Sequence, residues 1–148
     1  MIVTFVEILQ SLSMAKIDGI APASRGAATI LIVDDEEIVL RTARASLERA
    51  GFTVLTANSG ENAINVLISD TAISLVVLDM SMPAMNGKDV LQRILALGMK
   101  VPVLICSGHR ESEIRHELSG LPIAGFAQKP FTSRQIAAHV SEALTGTD

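Results

Sequence analysis

The sequence predicts an α/β protein: a doubly wound, five-stranded parallel sheet with helices on both faces. Three observations predict it. Short apolar runs at 29–33, 53–57, 74–78, 102–106 and 123–127 read as strands buried on both faces. Apolar residues at helical spacing fill each interval and follow the last strand. Parallel neighbours need crossovers of helical length, and these intervals supply them. The crossovers should be right-handed.

Each element has its own justification. Thr29–Val33 is the first strand. Ile38, Val39, Leu40, Ala43 and Leu47 form the stripe of the first helix, which stops before Gly51. After the strand Thr53–Ala57, Ser59 can cap a helix carrying Ala63, Val66 and Leu67, with Glu61 favourably placed near its positive end. Ser74–Leu78 is the third strand. The helix from Gly87 to about Leu97 should turn Val90, Leu91, Ile94 and Leu95 inward. Pro102 suits the start of the fourth strand, Pro102–Cys106, because it cannot donate to a ladder. A short helix over Glu111–Leu118, the strand Ile123–Ala127 and a helix from Thr132 to about Leu144, capped by Thr132 or Ser133, complete the pattern.

The 148 residues support one domain with a sizeable core. With no Trp or Tyr, that core must be aliphatic. A formal charge of −4 and a pI near 5.3 give no basic footprint, so direct binding to nucleic acid or to an anionic membrane is not expected. One cysteine, Cys106, excludes an internal disulfide and fits a reducing compartment. No stretch reaches the ~18–20 apolar residues of a membrane span, and no basic stretch precedes the apolar start as in a signal peptide. These features together lead us to expect a cytoplasmic protein.

Residues 1–28 read as an extension and linker ahead of the domain at 29–148. Ile2, Phe5, Leu9 and Leu12 fall near helical spacing, and Ala21–Ala28 has linker composition. A docking or dimerising helix is one reading. A frayed extension, or a start at Met14, is favoured because the stripe is short and uncapped. The chain stops at Asp148 just after the fifth helix, so no output domain is expected within it.

The carboxyl ends of a parallel sheet all lie on one edge, where ligands gather. This edge should receive Asp34 and Asp35 from the first strand, Asp79 from the third, Ser107 from the fourth and Lys129 from the fifth. Singly, each has a plainer role as a helix cap, a turn residue or a solvated loop charge. Together they are hard to obtain by accident. Three close carboxylates repel one another, and a hard divalent cation such as Mg²⁺, which prefers oxygen ligands, resolves that repulsion. A metal, the Lys129 ammonium and the Ser107 hydroxyl could neutralise the oxygens of a transferring phosphoryl group. Asp79, alone on its strand, is the candidate nucleophile.

These residues resemble the receiver domain of two-component response regulators over about 29–145. The motifs are the acidic pair, Asp79-x-x-Met82-Pro83-x-Met85-Asn86-Gly87, Ser107, and Lys129-Pro130-Phe131. The resemblance implies the strand order 2-1-3-4-5. It implies that Asp79 accepts a phosphoryl group from a phosphohistidine on a sensor histidine kinase or histidine phosphotransfer protein. By the same likeness, Asp35, Asp79 and the main-chain carbonyl of Ser81 would ligate Mg²⁺, with Asp34 helping through water. Ser107 and Lys129 would bind the phosphoryl oxygens. Phe126, at the aromatic switch position, would turn inward as Ser107 moves, altering the surface of the fourth helix, fifth strand and fifth helix toward a downstream protein. Ser107 stands where threonine is commoner and keeps the donor, and Phe126 stands where tyrosine is common and loses a phenolic hydroxyl; neither departure counts against phosphorylation.

Rival functions fit less well. A flavodoxin-like cofactor binder needs a Gly- or Ser-rich phosphate loop where this chain carries Asp34-Asp35-Glu36-Glu37. A haloacid-dehalogenase-like phosphatase needs a second acid at position 81, which is Ser. His109, two places past Ser107, could affect water at the site, but a solvated loop histidine is the plainer reading. The sequence leaves open a stand-alone regulator, a phosphorelay intermediate, a receiver from a hybrid kinase, or a pseudo-receiver that never takes phosphate.

Overall fold

The computed structural model describes residues 27–146. The expectations for residues 1–26, including the helical stripe from Ile2 to Leu12, lie outside the described residues. The elements run β1 (Thr29–Val33), α1 (Glu37–Arg49), β2 (Thr53–Ala57), α2 (Gly60–Ser69), β3 (Leu75–Asp79), α3 (Gly87–Ala96), β4 (Val103–Ser107), α4 (Glu111–Leu118), β5 (Gly125–Gln128) and α5 (Ser133–Thr145). All neighbouring strands are parallel, in the order β2-β1-β3-β4-β5. That is the expected architecture.

Successive strand residues point to opposite faces, so the sheet divides its own apolar residues between two cores. Leu31, Val33, Val76, Leu78, Val103 and Ile105 pack beneath α2, α3 and α4. Ile30, Ile32, Leu75, Val77, Leu104 and Cys106 pack beneath α1 and α5. Because both faces are covered, the strands need no polar alternation, and β3 and β4 are buried along their whole length. Each fully buried aliphatic side chain contributes roughly 1.5–3 kcal/mol relative to exposure.

The strand ladders shift three strands from the bounds the sequence predicts. β3 and β4 each begin one residue later. Pro102 has no N–H to give, and its carbonyl accepts the Val76 N–H at 3.0 Å before the β4 ladder starts at Val103. The shift takes Asp79 and Ser107 into the last rungs of their strands instead of the loops beyond. β5 starts at Gly125, two residues later than expected, because pairing begins with Leu104 opposite Gly125. In α5, Thr132 is the cap, its hydroxyl accepting the Gln135 N–H, and Ser133 opens the helix.

Two side chains read as inward face solvent. Leu95 is 40% exposed and Ile38 is 67% exposed. In α1 the buried positions are Leu40, Ala43, Ser46 and Leu47. Ile38, two residues before Leu40, falls on the other side of the helix.

Candidate functional site

The site is assembled by strand ends. β1 and β3 are adjacent, with Val33 opposite Leu78, so Asp34 and Asp79 emerge side by side. Both are buried, whereas Asp35 is exposed. One carboxylate oxygen from each of the three lies within 4.8 Å of the others. Two local bonds fix the buried pair: the Glu36 N–H donates to Asp34 Oδ1 at 2.9 Å, and the Ser81 N–H donates to the Asp79 carboxylate.

Lys129 arrives from the end of β5, across the sheet. Its N–H donates to the Ser107 carbonyl at 2.8 Å, which ties the β5 end to β4. The Lys129–Pro130 peptide bond is cis. The ammonium Nζ then lies 2.8 Å from Asp34 Oδ2 and 3.1 Å from Asp79 Oδ1. It therefore binds two carboxylates at once, in a largely buried setting where each contact is stronger than at the surface.

The electrostatics follow from that crowding. Burial, reinforced by the neighbouring Asp34 charge, pushes the Asp79 carboxyl above its usual value, and Lys129 only partly offsets this. For Lys129, burial works against the charged form, but the hydrogen bond to Asp34 and the pull of both carboxylates hold it above the usual lysine value. The cluster remains rich in negative charge for a buried place. An all-oxygen set of three carboxylates with excess negative charge suits a hard cation such as Mg²⁺.

Ser107, the last residue of β4, is buried, and its Oγ accepts the His109 N–H at 3.0 Å. It sits one residue beyond Cys106, which pairs with Asp79. Phe126, opposite Ile105 in β5, is half-buried against the core beneath α4. It also lines a surface cleft of about 520 Å³ with Glu111, Lys129, Phe131 and His139. His109 is solvated as expected, its ring 3.8 Å from Glu113.

The β3–α3 loop is held close to the site by Gly87, whose N–H donates to the Met80 carbonyl at 3.0 Å. A Cβ there would lie 2.7 Å from the Asp79 carbonyl oxygen and 2.8 Å from Met80 Cα, so only glycine fits. Asn86 caps α3 reciprocally with Asp89. Ala84 turns the loop with φ at +66°, in the left-handed region. Sequence reading missed this strained position, for which an alanine gives no signal. It also missed exposed Ile38 beside the acidic residues, which counting from Leu40 would have revealed.

Comparison with known proteins identifies the family to which this fold belongs. Residues 30–141 match the response regulator receiver domain family, and the chain belongs to that family. It is 33% identical over 136 residues to the alkaline phosphatase synthesis transcriptional regulatory protein SphR of Synechococcus elongatus, covering 85% of this chain and 52% of that one. It is 32% identical over 124 residues to the sensor kinase CckA of Brucella abortus, covering 83% of this chain and 13% of the kinase. A response regulator receiver domain from Clostridium thermocellum superposes with a TM-score of 0.72 at 28% identity, over 80% of this chain and 94% of that domain. The chain thus spans about half the length of one curated relative and a small part of the other. Receiver domains are signalling domains, not conventional enzymes, and bind Mg²⁺ at an acidic pocket. Among the described residues, no helix is long and apolar enough to cross a membrane.

Proposed function

We propose that this chain is a phosphoacceptor in two-component signalling, with Asp79 taking a phosphoryl group from a phosphohistidine on a sensor histidine kinase or histidine phosphotransfer protein. The convergence of Lys129 Nζ on Asp34 and Asp79 at the carboxyl edge of the sheet carries this reading. A carboxylate oxygen of Asp79 attacks phosphorus, forming an acyl phosphate as the P–N bond breaks. The imidazole nitrogen keeps that electron pair and takes up a proton. Asp34, Asp35, Asp79 and the Ser81 carbonyl would hold Mg²⁺, which supplies charge neutralisation to the phosphoryl oxygens. Lys129 neutralises a further oxygen of the phosphoryl group once it is freed from Asp79. The Ser107 hydroxyl, whose oxygen here accepts from His109, donates to another.

Phe126 would report the event. It is a neighbour of the Ser107 strand and half-buried, so an inward turn would reshape the surface of α4, β5 and α5 for a downstream protein. Direct nucleic-acid binding by this domain is not part of the reading, given its acidic charge.

Acetyl phosphate with Mg²⁺ should add one labile phosphoryl group, read by intact mass, and Asp79→Asn should abolish the gain. A folded wild-type protein that gains no mass would instead be a pseudo-receiver.

A further inference from the structure

The edge of the sheet opposite the acidic site carries an apolar strip. One cleft of about 710 Å³ lies between the ends of α2 and α3, lined by Leu67, Ile68, Ile73, Leu97, Met99 and Val101. A second, of about 490 Å³, is bounded by Leu95, Pro122 and Ile123 and shares the Met99–Pro102 wall. Ile68 is 56% exposed and Leu97 is 45% exposed, while Leu95 extends the strip beyond them. Scattered exposed leucines need no explanation, but contiguous apolar clefts mark interaction surfaces.

The same edge is where the chain preceding β1 departs. Thr29 opens β1 there, bonded to Ser74 through its carbonyl at 2.8 Å and its N–H at 3.3 Å. Ser74 itself lines the second cleft. Residues 13–28, extended, could span up to roughly 50 Å, so nothing in the strip is out of reach for residues 1–12. Plotted with a helical period, Ile2, Phe5, Val6, Leu9 and Leu12 share one side, Thr4, Glu7 and Ser11 lie opposite, and Val3 and Ile8 flank that opposite side.

We propose that residues 2–12 dock, apolar side down, on this strip of their own chain. The sequence alone favours a frayed extension because the stripe is short and uncapped. The strip supplies what the stripe lacks, an apolar partner within reach. Tethering raises the segment's effective concentration to the order of millimolar, so a contact too weak to hold a second copy is still populated. The proposal stands independently of the phosphoryl chemistry at the other edge.

The test uses the full chain with Glu7→Cys carrying a nitroxide on the polar side of the segment. Cys106 is buried, and its thiol, pushed up to about 12 by burial, stays unlabelled. Isotope-labelled, spin-labelled chain is diluted with about tenfold unlabelled wild-type chain, which suppresses contacts between labelled copies while leaving tethered ones. The methyl signals of Ile68, Leu97 and Met99 should then fall about two-fold or more relative to the reduced nitroxide, as expected when at least about half the chains are docked. Ile38 and Leu40, near the acidic edge, should keep theirs. No selective loss overturns the proposal, and so does a loss that vanishes on dilution, which would assign the strip to a second copy. Adding Phe5→Ser and Leu9→Ser should restore the signals; persistent loss would show that the stripe is not the contact and also overturn it.

Discussion

The two edges of this sheet are built from the same strands and obey opposite rules. At the carboxyl edge, the Asp34 and Asp79 carboxylates are buried with Lys129 shared between them, although charged residues are almost never buried unless paired. At the amino edge, Ile68 and Leu97 stand in solvent, although aliphatic side chains gain most from burial. The first edge concentrates like charges under Lys129, which costs stability and suits the cation and phosphoryl group proposed to bind there. The second, among the described residues, is apolar surface, the strip on which residues 2–12 are proposed to dock. Within the described residues stability is given up at both edges, by desolvation of charge at one and by exposure of apolar side chains at the other. Substitutions should therefore act with different sizes and signs at the two ends.

The largest expected effect is at the acidic edge. Lys129→Ala removes the cation shared by two buried carboxylates and should cost about 3 kcal/mol in metal-free buffer at pH 7. Lys100→Ala, an exposed lysine at the other edge, should stay within about 0.5 kcal/mol. Urea midpoints of the two variants make the comparison, and equal losses would break it. The pH dependence has a definite sign. Lys129 is held above its usual value, so its contribution is present throughout the neutral range and is lost only as pH rises through that raised value. Asp79 is raised above the usual carboxylate value of 3.8, so the folded state binds its proton more readily than the unfolded chain. The penalty of its charge appears as pH rises through the raised value, and the Lys129→Ala deficit should shrink on acidification.

Asp79→Asn should act with the opposite sign. It keeps the shape of the side chain but deletes one of the mutually repelling charges, so the metal-free protein should gain about 1 kcal/mol and melt a few degrees higher. Thermal denaturation followed by circular dichroism reads this directly. A loss of stability would mean that the Lys129–Asp79 contact outweighs desolvation and the Asp34 repulsion, and the carboxyl edge would no longer count as a place where stability is given up.

Much of this was legible in the sequence because the sheet is buried on both faces. Continuous runs such as Leu75-Val76-Val77-Leu78 announce strands of this type, and the residues that break the first, third and fourth runs, Asp34, Asp79 and Ser107, lie at the site. Asp79 and Ser107 were found that way, even though both proved to be the last rungs of their strands. Rung boundaries depend on which N–H meets which carbonyl across the sheet, and a local pattern carries no such information; Gly125 opposite Leu104 is the example. Side-chain direction failed at Ile38 and Leu95 because helices α1 and α3 bury narrower stripes than their apolar content suggests. The bridging of Asp34 and Asp79 by Lys129 was not predictable either, because it depends on how the end of β5 ties to Ser107.

The smallest expected effect concerns Ala84, at the turn that leads from Asp79 back to α3. With φ at +66°, its Cβ crowds the backbone at a cost of about 1–2 kcal/mol that glycine would not incur. Glycine gives back about 0.5–1 kcal/mol because it loses more conformational freedom on folding. Ala84→Gly should therefore stabilise the domain by about 0.5 kcal/mol, seen as a higher urea midpoint with an unchanged slope. Strain beside a functional site can be part of how the site works, so the rate of labelling by acetyl phosphate should be measured on the same variant. The loop is already fixed at both ends, by the Ser81 N–H on the Asp79 carboxylate and by the Gly87 N–H on the Met80 carbonyl. Relief at Ala84 should consequently leave the labelling rate unchanged. A changed rate would mean that the turn, and not only the charges it carries past, sets the position of the acceptor.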